Sequence, residues 1–555
     1  MNESNNVNVN RNKSAFLKEN IITYLGNKRT QLDFINNEVS SLILSDSELK
    51  NKDKKQIKVL DIFSGSGVVA RSFKQKGYAV ICNDLEKYST IINEVMIGTN
   101  KSELELIFSC IYEKLVSYYS IHDIPFTKSV QTSDYKKVIE VLNNVRWLGD
   151  KQIKPFFQVH YAPQITDKAD FESERLFYTQ ENARFIDSVL DALFEFKLNN
   201  ILIFSEKARN VILADLLHLM TKNINSSGHM KSYHNGFGGK GGNALNRIMA
   251  DMSLTELPLI EAENGKSYTG DAVSVMSNND LNVDIVYCDS PYNSHQYSGN
   301  YHLLTTAVNN RDLEIVSGKG GIRTDQNKSE FCYKKVVDLG GFRHKKAFHA
   351  FQALLDDVSV RSKYLLVSYN QEGILTQSEL IDVLSCDGKH SVSVKTQKHD
   401  KFKGGKNTNM SNAVVEYIFI VEFNKIQSLK QVELLKSSLK LETAKQLLVD
   451  KYINTERLPK NANLIKAGAK QVIQLNGGEI TLDSHNRIIS EKFKRYDTHL
   501  FELIDDVEFE NKEEMMTFYI KNNNKNSALK LLPSFKIKSK RHLFDQYSAL
   551  LLNAS

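Results

Sequence analysis

Cysteine is scarce in this chain, and the five that occur show no Cys-x-x-Cys spacing. A zinc site and a disulfide framework are therefore not expected, and no metal is assigned. Long apolar runs are missing too: nothing approaches the roughly 18 residues of a membrane-spanning helix. The Asn-rich start carries no apolar core of a secretory signal. A soluble, cytoplasmic protein without membrane contact is the expectation. Charge of one sign is also lacking, since 72 Lys and Arg against 66 Asp and Glu leave a formal net charge of +6. That is too mild for a dedicated nucleic-acid module and suits an enzyme with one basic cleft. At 555 residues the chain has length for roughly two to four domains.

What is present concentrates in two places. Residues 284–301 run from an apolar segment (Ile285, Val286, Tyr287, Cys288) straight into Asp289-Ser290-Pro291-Tyr292. A buried strand that breaks into a Pro turn here offers carboxylate and backbone acceptors beside an aromatic face. Such a set suits a planar exocyclic amine, held by hydrogen bonds while its ring stacks on Tyr292. Taken alone the tetrapeptide is weak, because strands ending in Pro turns are common. Far upstream, Val59-Leu60-Asp61-Ile62-Phe63-Ser64-Gly65-Ser66-Gly67 is a strand entering a Gly-rich turn. After a helical stretch comes a second apolar strand, Tyr78 to Asp84, ending in an acid. Strand, glycine loop, helix, strand and acid form a nucleotide-type site, in which glycines admit close backbone approach and the acid reaches a ribose diol.

The loop Asp61-x-Phe63-x-Gly65-x-Gly67 has no third glycine and resembles the S-adenosylmethionine loop of class I methyltransferases. Asp289-Ser290-Pro291-Tyr292 resembles the Asp-Pro-Pro-Tyr loop of amino-methyltransferases that act on adenine in DNA. Tyr24-Leu25-Gly26-Asn27-Lys28, before a helix with apolar Leu32, Ile35, Val39 and Leu42, is similar to the N-terminal motif of the DNA adenine methylase family. An ordinary helix-entry turn is the alternative there. In that family an Asp before the catalytic strand meets the cofactor adenine, which points to Asp271; a simple helix cap is its alternative. The resemblance covers roughly residues 20–425. Its motif order, cofactor loop before catalytic loop with a long insertion between, is that of the α group.

The resemblance implies an α/β fold of the class I, Rossmann-like type, a mixed sheet with helices on both faces. Between the two halves, apolar spacing at Val211, Leu213, Leu216, Leu217 and Leu219 reads as a large, largely helical insertion, and the residues past about 425, where the resemblance stops, as an additional C-terminal domain. The expected organisation is a disordered tail at 1–18, the cofactor-binding half of the core at 19–99, an inserted target-recognition region at 100–266, the catalytic half at 267–425, and a C-terminal domain of unassigned role at 426–555. Asp289, Ser290, Pro291 and Tyr292 are the implied catalytic loop, Ser290 standing where the family usually has Pro. Tyr24, Lys28, Asp61, Phe63, Gly65, Gly67, Asp84 and Asp271 are the implied cofactor residues. No Pro-Cys pair occurs, which argues against cytosine C5 methylation through a thiolate.

Double-stranded DNA is the expected partner, with a cognate restriction endonuclease as a separate protein. The Gly-rich segment 229–247 carries Lys231, Tyr233, Lys240 and Arg247, able to track phosphates and stack on bases; a surface loop is its alternative. His295, Gln296 and Tyr297 follow the catalytic loop closely. Lys403 and Lys406 lie between two expected strands, 391–396 and 413–421. The alternatives are an amine of another kind (cytosine N4, an RNA base or a protein glutamine) and a DNA-binding protein with a residual methylase site.

Overall fold

The computed structural model describes residues 15–18, 22–144, 152–239, 242, 244–277, 281–293, 295–312, 316–323, 329–332, 346–400, 413–449, 451–468, 470–475, 478–493, 504, 506–509, 511–535 and 541–553. Seven strands form one mixed sheet: β1 (Lys58–Asp61), β2 (Ala79–Asp84), β3 (Lys266–Thr269), β4 (Ile285–Cys288), β5 (Tyr364–Asn370), β6 (Ser391–Asp400) and β7 (Ala413–Glu422). Their spatial order is β3-β2-β1-β4-β5-β7-β6. The pairs β2–β3, β1–β2, β1–β4 and β4–β5 are parallel, with Val59 opposite both Val80 and Ile285. Every residue of β4 and β5 is buried, as expected of parallel strands covered on both faces.

The order reverses between β1 and β4. Connections from these two neighbours leave in opposite directions, and a crevice opens at their carboxyl ends. Asp61 ends β1, Asp84 ends β2, and Asp289 follows β4 directly. All three acids therefore reach one end of the sheet.

Helix α1 (Leu32–Ser45) buries Ile35, Val39 and Ile43. Of the expected stripe, Ile35 and Val39 are buried while Leu32 and Leu42 are half-buried, and Ile43 is the third buried position. Helix α2 (Val68–Lys76) starts at Gly67 and stops at Gly77, whose φ of 91° makes it a left-handed terminus. Helix α3 (Lys87–Gly98) follows β2. Residues 15–18 form a helical turn in which Phe16 is fully buried, and Arg71 Nη1 donates to Phe16 O at 2.6 Å. The end of the tail expected to lack order is thus built into the core.

The chain then departs for residues 100–265. Its departure and return touch: Gly265 N donates to Ile97 O at 2.9 Å. Lys74 Nζ, from α2, holds the same stem through Ile97 O at 2.8 Å and Thr99 O at 3.4 Å. Between these ends run α4 (Gln180–Phe194) and α5 (Glu206–Lys222). Each has a hydroxyl N-cap, Thr179 accepting from Asn182 N and Ser205 from Ala208 N. In α5 the residues Val211, Leu213, Leu216, Leu217 and Leu219 are all buried, so this helix is surrounded instead of presenting one apolar stripe. Helix α6 (Ala272–Met276) lies between β3 and β4, and α7 (His302–Val308) between β4 and β5.

Two compact units are distinguished, Met1–Ser368 with Ile420–Lys425, and Tyr369–Phe419 with Ile426–Ser555. The second unit contains a continuous helix, Leu429–Leu448, opened by a Ser428/Gln431 capping box. It also contains a four-stranded antiparallel sheet of β8 (Asn463–Ala467), β9 (Lys470–Leu475), β10 (Gly478–Leu482) and β11 (Ile488–Phe493). No helix of the described residues is long and apolar enough to cross a membrane.

Candidate active site

Three loops converge at the carboxyl ends of β1, β2 and β4. The first turns from Asp61 through Gly65 and Gly67 into α2. Both glycines take left-handed backbone, with φ of +49° and +72°. A Cβ on Gly65 would stand 2.7 Å from the Tyr24 ring, and one on Gly67 2.0 Å from Asn93 Oδ1. Only glycine gives the loop both its turn and this closeness. The second loop starts at Asp84, whose carboxylate accepts from Gly65 N at 2.7 Å and from Glu86 N at 2.9 Å. The acid of β2 thus props the glycine loop of β1. The third loop is Asp289 to Tyr292.

Lys28 crosses from the N-terminal turn to meet it. Its Nζ lies 3.3 Å from Asp289 Oδ1, and the side chain is only 3% exposed. The same Nζ is 5.3 Å from the centre of the Tyr292 ring. Tyr24 stacks on Tyr301 at 4.9 Å and on Tyr297 at 5.1 Å. Phe63 meets Phe331 edge-on at 5.0 Å. These groups surround one open pocket, bordered by every implied cofactor and catalytic residue except Gly67.

The pocket is rich in acceptors. Burial, then the charges of Asp289 and Asp84, holds the Asp61 carboxyl well above the usual carboxylate range. Asp61 Oδ1 is buried with no hydrogen-bond partner among the described residues. Burial raises Asp84 as well, against its backbone hydrogen bonds. A ligand bringing positive charge and N–H or O–H donors satisfies such a floor; an anionic one does not. Among the described residues no group of three or more His, Cys, Asp or Glu could hold a metal ion.

Other residues fall less simply. Asp271 Oδ1 accepts from Val273 N at 3.0 Å and Ser274 N at 3.4 Å, so it caps α6 while also bordering the pocket. The Ser290 side chain is 1% exposed and faces inward. Tyr297 sends its hydroxyl to Leu25 O at 3.3 Å, and the Gln296 amide brackets the Ser329 backbone at 3.1 and 3.4 Å. Both border the pocket, while His295 is exposed.

In the Gly-rich segment, Tyr233 packs edge-on against Phe177 at 5.0 Å and donates to Glu174 O at 3.1 Å. Arg247 Nη2 donates to Ile224 O at 3.3 Å, and Lys231 is half-buried. Buried Asn225 organises that segment, donating to Leu176 O at 2.9 Å and accepting from Gly238 N at 3.2 Å. Lys240, Lys403 and Lys406 lie outside the described residues. Two further site residues escaped the sequence reading. Glu86 accepts from Ser298 Oγ at 2.6 Å, linking the end of β2 to the segment after the Asp289–Tyr292 loop. Asn93 donates to Ser64 Oγ at 3.0 Å beneath the glycine turn.

The model of the D12 class N6 adenine-specific DNA methyltransferases matches residues 24–368. Among individual proteins, the chain is 26% identical to the Type II methyltransferase M.NlaIII of Neisseria lactamica over 72% of its own length and 99% of the relative. It is 28% identical to the Type II methyltransferase M.CviAII of Paramecium bursaria Chlorella virus 1, over 72% of this chain and 98% of that one. The match to the Type II methyltransferase M.FokI of Planomicrobium okeanokoites, 25% identical, takes in 84% of this chain and 65% of that longer protein.

Proposed function

The chain belongs to the D12 class of N6 adenine-specific DNA methyltransferases, and on that premise we propose that the pocket at the end of β1, β2 and β4 joins an S-adenosylmethionine site to an adenine site. The observation that carries this reading is the meeting of the glycine loop and the Asp289–Tyr292 loop around one acceptor-rich pocket, with Lys28 pinning Asp289. S-adenosylmethionine fits that pocket: its cationic end suits the unpartnered Asp61 Oδ1, and its ribose diol suits Asp84. Tyr24, Phe63 and Asp271 would complete the enclosure, with Gly65 and Gly67 shaping the turn. When bound, this group supplies an activated sulfonium methyl.

The protein's own work is positional. The adenine amine is a poor nucleophile because its lone pair is delocalised into the ring. Asp289 and the Ser290 carbonyl accept its two hydrogens, which localises the lone pair on nitrogen. Pro291 sets the turn, and Tyr292 stacks on a base flipped from the duplex at a cost of a few kcal/mol. Orienting two reactants in this way supplies up to roughly 7–11 kcal/mol of a barrier in the best intramolecular cases. No covalent intermediate is required.

Residues 100–266 are proposed as the target-recognition insertion and 426–555 as an additional domain. The names of the relatives fit a role in restriction and modification, with a cognate endonuclease as a separate protein acting on double-stranded DNA. The test is transfer of labelled methyl to unmethylated duplex DNA, digestion to nucleosides, and an Asp289→Ala control. Label in N6-methyladenine that disappears in the variant is expected. Label in N4-methylcytosine would replace the base and keep the mechanism. No label in DNA, with cofactor still bound, would overturn the reading.

A further inference from the structure

We infer that a second cavity, formed by Lys222, Ser226, His229 and Arg247, holds a backbone phosphate of the DNA that presents the target adenine; this rests on the adenine-methylation reading above. The cavity measures about 370 Å³ and lies between the end of α5, the segment 224–230 and Arg247. Its described lining contains one Lys, one Arg and two His, and no acid. Ser226 is 7% exposed, yet its Oγ has no hydrogen-bond partner among the described residues. Burying a hydroxyl in that way is unfavourable unless a ligand completes it.

The cationic groups are placed for an anion as well. Arg247 is fixed by its bond to Ile224 O, which leaves other guanidinium N–H groups in a preset fork. Burial lowers the pKa of both Arg247 and His229, so an anion here would favour their charged forms. Within the lining, Ile224 O is already engaged by Arg247.

Position supports a phosphate of the bound duplex. Tyr301 lines this cavity and stacks on Tyr24 of the main pocket at 4.9 Å. Met230 N donates to Asn300 O at 2.6 Å, and a His302 ring nitrogen lies 2.8 Å from Met230 O. The rim of the cavity is thereby tied to the segment that follows the catalytic loop. A phosphate held here is at a set spacing from Tyr292, where the flipped base stacks.

The experiment is equilibrium binding of the full chain to unmethylated duplex DNA across a range of salt, for wild type, Lys222→Gln and Arg247→Gln. Each variant is expected to bind about three- to tenfold more weakly, equally for all sequences, and to lose roughly 0.9 from the slope of log affinity against log salt. Cofactor affinity and melting temperature should stay at wild-type values; Lys222 is exposed, so its variant guards against a folding defect at Arg247. Unchanged slopes in both variants, with DNA methylation intact, overturn the inference and leave the adenine reading standing. A wild type that neither binds nor methylates DNA overturns the reading and the inference with it. An effect of inorganic phosphate on wild-type activity, with unchanged variant slopes, assigns the cavity to free phosphate and also overturns it.

Discussion

Lys28 Nζ and Asp289 Oδ1 stand 3.3 Å apart, so the turn at residues 24–28 supplies the cation that faces the carboxylate proposed to hold the adenine amine. Lys28→Met would leave Asp289 beside Asp61 with that cation gone. A charge-assisted contact of this kind contributes about 1.5–3 kcal/mol. Steady-state methylation should show kcat/KM lowered about 10- to 100-fold, with Lys28→Arg recovering part of it. Wild-type kinetics in the Met variant would remove Lys28 from the catalytic arrangement.

Asp61 gives a proton-linked prediction. Its folded carboxyl is raised by burial and by Asp289 and Asp84, and a cationic ligand stabilises the ionised form. Binding of S-adenosylmethionine should therefore release protons, and affinity should weaken as pH falls. Calorimetry in buffers of different ionisation enthalpy reads the release directly. Asp61→Asn should abolish it and flatten the pH dependence.

Gly67→Ala tests the turn. The backbone sits at φ +72°, and the added Cβ would meet Asn93 Oδ1 at 2.0 Å. Strain of this kind is worth about 1–3 kcal/mol, to be seen as a lower melting temperature together with weaker cofactor binding. Asn93→Ala should relieve the contact and leave the backbone strain.

Ser290→Ala separates side chain from backbone at the loop position where the family usually has Pro. The hydroxyl faces inward, while the proposed role belongs to the carbonyl. Methylation rates within about threefold of wild type are expected, because a surviving backbone acceptor keeps the chemistry. A hundredfold loss would give the hydroxyl a part in the reaction.

Lys74 predicts a pH effect on stability. Burial lowers its pKa from 10.5 to about 8. Between those values the unfolded chain holds a proton that the folded one has lost, so this residue's contribution to stability rises with pH across the window. The full effect is about 3 kcal/mol. Chemical denaturation from pH 8 to 10 should show the rise in wild type and its absence in Lys74→Met.

Much of this was legible in the sequence wherever the signal is local. Asp61 to Gly67, Asp84 and Asp289 to Tyr292 each sit at a strand end, and a strand that stops at an acid or a glycine announces itself in a few residues. The order of the strands in the sheet was not legible in this way, because alternation of strands with helices leaves it open. The pairs that hold the pocket together were not legible, because each partner is unremarkable alone. Glu86 with Ser298, Gly67 with Asn93, and Tyr24 with Tyr301 become meaningful only when the fold brings distant segments together. Arg311 is the extreme case. It is fully buried and pairs with Asp191 at 2.9 Å and Asp187 at 3.6 Å, both on a helix more than a hundred residues away in the chain. Asp271 shows the other limit, where one carboxylate caps a helix and borders the pocket at once.

The contact between Gly265 N and Ile97 O has a consequence for how such enzymes diversify. An excursion whose two ends already touch behaves as a cassette on a closed stem. Lengthening it changes the entropy of closing the loop only slowly, by about 0.6 kcal/mol per doubling. The strands on either side, β2 and β3, are hydrogen-bonded neighbours and keep their register whatever lies between. The excursion proposed as the target-recognition insertion can thus be exchanged at this stem while the pairing of β2 with β3, and with it the placement of Asp84 and Asp271, is kept.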